Sequence, residues 1–134
     1  MRTIKFRAWD KITRSWYQNC QNSDDLIMIN PIVNPKITGE FYLQDSSSSG
    51  KDVLEYSQFT GLIDKNSKEI YEGDILNSDK AVKFRVIYDD SKARFSFVCK
   101  NIWGGSRSNV YKSASWIVKN CTVFGNIYEN PELL

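Results

Sequence analysis

Ala81-Val82-Lys83-Phe84-Arg85-Val86-Ile87-Tyr88, then Asp89-Asp90-Ser91-Lys92, then Arg94-Phe95-Ser96-Phe97-Val98-Cys99-Lys100, is the stretch on which the fold turns. Strand side chains alternate between two faces, so Val82, Phe84, Val86 and Tyr88 share one side and Lys83 and Arg85 the other. The polar tetrad that follows has turn chemistry, because Asp and Ser side chains hydrogen-bond their own backbone a residue or two on. On the return, Phe95, Phe97 and Cys99 fall together, and Arg94, Ser96, Val98 and Lys100 oppose them. The segment reads as a β-hairpin over 81–100 with an apolar inner face and a basic outer face.

Working outward, the same period of two recurs in shorter pieces. Ile4-Lys5-Phe6-Arg7-Ala8-Trp9 puts Ile4, Phe6 and Ala8 on one face and Lys5, Arg7 and Trp9 on the other. Asp10-Lys11 breaks the run before Ser15-Trp16-Tyr17, which predicts an N-terminal hairpin. Leu26-Ile27-Met28-Ile29 is stopped by Asn30-Pro31 and Pro35, so a helix through 26–36 is disfavoured. Phe41-Tyr42-Leu43 is strand-like, and Asp45-Ser46-Ser47-Ser48-Ser49-Gly50 is loop composition. These features divide one domain into an N-terminal hairpin and connecting segment (1–44), a flexible Ser-rich loop (45–52) and a barrel-like β region (53–134).

Within that last region, Val53 to Phe59 suits a strand or a short helical turn. Asp64-Lys65-Asn66-Ser67-Lys68 suits a hairpin turn, and Gly73-Asp74-Ile75-Leu76 a strand start. Gly104-Gly105-Ser106 marks a loop, and Trp116-Ile117-Val118 and Thr122 to Tyr128 are expected to supply closing strands. No segment shows a long helical period. The expected class is mostly β (β or α+β), as a small barrel or sandwich.

Composition narrows the chemistry. The chain has 134 residues, 41% apolar and 13% aromatic, enough for a packed core. Histidine is absent, which removes Ser-His-Asp and Cys-His triads and histidine-ligated zinc. Cys20, Cys99 and Cys121 have no metal-finger spacing, and no GxxxxGK[ST] phosphate loop occurs, so neither a metal, a cofactor nor a catalytic set is assigned. No stretch has the length of a membrane span, and Lys5 and Arg7 interrupt what a signal peptide would need to be apolar. A cytoplasmic protein with no membrane association is expected. The net charge is only +2, yet residues 21–79 carry eleven acidic and four basic residues, and residues 80–119 nine basic and two acidic. Such segregation suits an anionic partner, or halves that pair between subunits.

Four blocks resemble the YopX-like family of phage and prophage proteins, in that family's order. They are Ile4 to Asp10, Gln58-Phe59-Thr60-Gly61-Leu62-Ile63-Asp64-Lys65-Asn66, Lys68-Glu69-Ile70-Tyr71-Glu72-Gly73-Asp74-Ile75, and Val123-Phe124-Gly125-Asn126-Ile127-Tyr128 through Leu134. Ser67 departs from the pattern, which usually has glycine there, and so implies a strained or altered turn. The resemblance implies a phage or prophage origin in a host cytoplasm, a C-terminal barrel similar to SH3-like barrels, and a tendency to form homo-oligomers. It implies no activity.

The candidate sites follow. Lys83, Arg85, Arg94 and Lys100 can share one sheet face as a nucleic-acid interface, with Lys80, Lys92 and Arg107 near its ends. Phe84, Phe95 and Phe97 fall on the opposite face, which leaves Trp103, Tyr111 and Trp116 as possible base-stacking rings. Trp9, on the charged face of its strand, is either a partner-binding knob or a packed side chain. Glu69, Glu72 and Asp74 invite a metal-dependent enzyme reading, or are turn and strand-start carboxylates. The leading expectation is a non-catalytic, homo-oligomeric binding protein with a possible protein partner, the alternative a nucleic-acid-binding barrel.

Overall fold

The structure, a computed structural model, describes residues 3–20, 54–103 and 106–133. Its described elements are mostly strands, as the alternation predicts. The readings made for 21–53, including the Ser-rich loop, lie outside the described residues. The chain divides into two compact units, Ile4–Gln58 and a second that runs from Phe59, so the division falls inside a strand.

In the first unit, β1 (Phe6–Asp10) pairs antiparallel with β2 (Ser15–Cys20) on one edge and with the start of β3 (Leu54–Ile63) on the other. Asp10 builds the intervening turn, its Oδ1 accepting from the backbone N–H of Ile12 at 2.8 Å and of Thr13 at 3.0 Å. The expected hairpin is present, but β1 does not have one wet face. Ile4 is exposed, whereas Arg7 and Trp9 are buried along with Ala8. Trp16 explains this: its ring lies 4.2 Å from the Arg7 guanidinium and 5.1 Å from the Trp9 ring, closing the face the charges suggested was solvated.

In the second unit, the end of β3 pairs with β4 (Glu69–Tyr71) across the turn at 64–68. The remaining strands are β5 (Asp74–Ser78), β6 (Lys83–Asp89), β7 (Arg94–Trp103), β8 (Ser106–Lys112) and β9 (Cys121–Asn126). They form a five-stranded antiparallel sheet in the order β8-β7-β6-β5-β9. Four consecutive strands meander, a helical segment intervenes, and the last strand returns beside the first. That is the strand order of an SH3-like barrel.

The β6–β7 hairpin has the register that the alternation demands, with Arg85 opposite Val98, Val86 opposite Phe97 and Asp89 opposite Arg94. Phe84, Val86 and Phe97 point into the core with Ile70, Leu76, Ile117 and Cys121. Towards the turn the core thins, and Tyr88 is 41% exposed with its ring edge-on to Phe95.

One expectation is corrected. Trp116-Ile117-Val118 is not a strand but lies in α1 (Ala114–Asn120). The β-branched pair favours a strand locally, but Ser113 caps the helix by accepting from the Trp116 N–H, and the Asn120 amide donates to the Trp116 carbonyl at 2.8 Å. Ile117, buried in the core, anchors the helix against the sheet. The polar run Ser106–Lys112, unassigned from sequence, is β8, held by a continuous antiparallel register with β7. A short 3-10 turn at Pro131–Leu133 closes the described chain.

Candidate nucleic-acid interface

Register fixes what lies on the outer face of the five-stranded sheet. One row crosses all its strands: Gly125 of β9, Ile75 of β5, Arg85 of β6, Val98 of β7 and Tyr111 of β8. The neighbouring row contains Thr122, Asn77 and Lys83. Lys100 takes the register position opposite Asn109, and its side chain lies outside the described residues. The sheet brings Lys83, Arg85 and Arg94 to one face at the register positions expected.

The cations on this face are not neutralised. Elsewhere Lys11 pairs with Glu55 at 2.6 Å, Lys65 with Asp79, and Lys92 with Asp89 at 2.7 Å. Lys83, Arg85 and Arg94 are exposed and have no carboxylate partner among the described residues. Asp89 lies across from Arg94, but its carboxylate is engaged by Lys92 and by the Ser91 hydroxyl. Those contacts, the Lys92 hydrogen bond foremost, lower its pKa from 3.8 to about 2.

Two aromatic rings share the face. Tyr111 is 48% exposed and carries the Lys92 ammonium 5.0 Å from its ring; Phe124 is 53% exposed and carries the Lys83 ammonium at 5.6 Å. Phe124 was read from sequence only as part of a closing strand. The β5–β9 register slips between Ile75 and Leu76, so Gly125 and Val123 take the partners and Phe124 is the extra residue. A bulge of this kind re-aims a side chain, and period-two reasoning has no signal for it. Between the rings, Ile75, Ile87, Val98 and Leu133 line a groove of about 450 Å³. Gly125 admits the groove's end wall, since a Cβ there would stand 2.7 Å from Leu133 Cδ1.

The other sequence candidates are placed differently. Trp9 is 6% exposed against Trp16, so its ring presents no surface to a partner. Trp116 packs edge-on to Phe84 at 5.7 Å, which spends it on the core side. The Trp103 side chain lies outside the described residues. The carboxylates are absorbed by structure. Asp74 is buried and accepts from the Tyr71 N–H at 2.8 Å and the Asn126 amide at 3.0 Å, while Glu69 accepts from the Tyr71 hydroxyl at 2.9 Å. No group of three His, Cys, Asp or Glu side chains suited to a metal occurs among the described residues. Burial pushes the Cys121 thiol up to about 11, with Asp79 adding to the shift, so this cysteine stays protonated at neutral pH. No helix of the described residues is long and apolar enough to cross a membrane.

The turn motifs form a connected frame around Asp64 and Asp74. Asp64 Oδ1 accepts from the N–H groups of Asn66 and Lys68, and its Oδ2 from that of Val123 at 2.8 Å, tying the 64–68 turn to β9. Gly73 stands at φ 83° and accepts from the Ile127 N–H, beside the Asp74–Asn126 contact. Three of the four sequence blocks thus meet in one hydrogen-bonded set.

No curated protein matches the chain. Among solved structures, it resembles protein EF1440 from Enterococcus faecalis with a TM-score of 0.65 and 25% identity, over 100% of this chain and 99% of that one. The family model for YopX protein matches residues 5–134, which takes in the Asp64, Asp74 and Asn126 frame and the whole five-stranded sheet. The chain belongs to the YopX family.

Proposed function

We propose that this is a non-catalytic accessory protein of phage or prophage origin that binds an anionic macromolecule through the outer face of its five-stranded sheet. The observation that carries the reading is the set of exposed cations Lys83, Arg85 and Arg94, without a carboxylate partner among the described residues, beside two exposed rings. Solvated cations gathered on one rigid face raise the local concentration of anionic partners and steer their approach. Of the carboxylates that invited a catalytic reading, Asp74 instead accepts from a backbone N–H and the Asn126 amide, and Glu69 from the Tyr71 hydroxyl. The test is recovery of bound material from phage-infected cells by the tagged protein and by its K83E/R85E variant. The expected result is a partner retained by the first and lost by the second. An unchanged set of bound molecules overturns the reading.

A homo-oligomer is the second part of the proposal, and the opposed charges of residues 21–79 and 80–119 favour it. Sedimentation at micromolar concentration should show an assembly that weakens as salt rises; a monomer at low salt contradicts it.

A further inference from the structure

We infer that the ligand of the outer face is a single-stranded nucleic acid, with its phosphates over Lys83, Arg85 and Arg94 and its bases against Tyr111 and Phe124. This rests on the reading of that face as the binding surface and names its occupant. Lys83 and Arg85 are two residues apart on one strand, about 6.6 Å at the usual strand rise, and Arg94 extends the positive surface along the neighbouring strand. Cations so placed can neutralise successive phosphates and release their counterions.

The rings distinguish a single strand from a duplex. A duplex hides its base faces within its own stack, whereas a single strand offers them to flat side chains. Tyr111 and Phe124 are each about half exposed. They lie on the outermost strands, β8 and β9, with Arg85 in the central β6. Phe124 already has the Lys83 ammonium near its ring, a pairing that puts a phosphate-binding charge beside a stacking surface. The floor between them is apolar at Ile75, Ile87 and Val98, which suits base edges and sugar better than water. Among the described residues the α-helix, α1, packs against the core through Ile117 and is not offered on this face to enter a duplex groove.

An acidic segment of a neighbouring copy would satisfy the cations but leave the rings without a planar partner. The test separates the two. Fluorescence anisotropy is read on a labelled oligothymidylate and on a duplex of equal length. Binding to the single strand at low salt is expected, tighter than to the duplex, with a log–log salt slope of about −2 for three phosphate contacts. Y111A and F124A, both at exposed positions, should each weaken single-strand binding about five- to hundredfold and leave the slope unchanged. R85E should weaken binding and flatten the slope. Absence of single-strand binding, or binding indifferent to Y111A and F124A, overturns the inference. If oligothymidylate fails to bind while K83E/R85E still loses a nuclease-resistant partner from infected cells, the surface stands and the nucleic acid falls.

Discussion

Ser67 sits at φ 66° in the turn between β3 and β4, a backbone angle that costs a residue with a Cβ and costs glycine almost nothing. Its N–H donates to the Asp64 carbonyl at 3.0 Å, so the turn keeps its hydrogen bond despite the angle. The departure from glycine noted in the sequence is therefore a local strain with no change of architecture. S67G should raise stability by about 0.5–1 kcal/mol in urea unfolding, the relief of the left-handed angle exceeding the added chain entropy. Asp64 is the opposite case. It is buried and its carboxylate serves three backbone N–H groups, one of them on β9. D64A should cost about 3 kcal/mol in the same measurement, because it strips the shared charged acceptor from three partly buried backbone donors.

At the scale of elements, the β6–β7 hairpin was legible and its neighbours were less so. Four large apolar residues alternating with cations leave only one register with a dry side, and the structure has that register. β8 was not legible because Ser106, Arg107, Ser108 and Asn109 carry no apolar period; β7 supplies the pairing that makes the run a strand. α1 was misread because Ile117 and Val118 favour strands, and its formation depends on a cap and on one buried anchor, both set by tertiary context. The outer face was half legible: alternation placed its cations, but the bulge that turns Phe124 outward and the β8 strand that carries Tyr111 depend on pairing. The hairpin turn itself makes a testable electrostatic statement. Asp89 should titrate by NMR near pH 2, and K92A should move it back towards 3.8. Because the folded-state value is the lowered one, the stabilisation is present above pH 3.8 and is lost as pH falls towards 2.

On the scale of the whole molecule, the residues that mark the family and the residues that mark the candidate site are largely separate. Asp64, Gly73, Asp74 and Asn126, within the blocks that carry the resemblance, interlock turns and strands by hydrogen bonds, and the YopX match runs over residues 5–134. Lys83, Arg85, Arg94 and Tyr111 lie on strands outside the four sequence blocks, whereas Phe124 and the groove residues Ile75 and Leu133 belong to both sets. Membership of the family accordingly bears on how this chain folds, while the binding chemistry we propose lies on the outer face. Photo-cross-linking of a bromouridine-substituted single strand, with the linked peptides identified by mass spectrometry, addresses that division directly. Cross-links should concentrate on peptides of β8 and β9 that contain Tyr111 and Phe124, and should fall in yield when R85E weakens binding. Cross-links confined to the first unit, Ile4–Gln58, or to Trp116 on the opposite side of the sheet would contradict the assignment of the outer face as the binding surface.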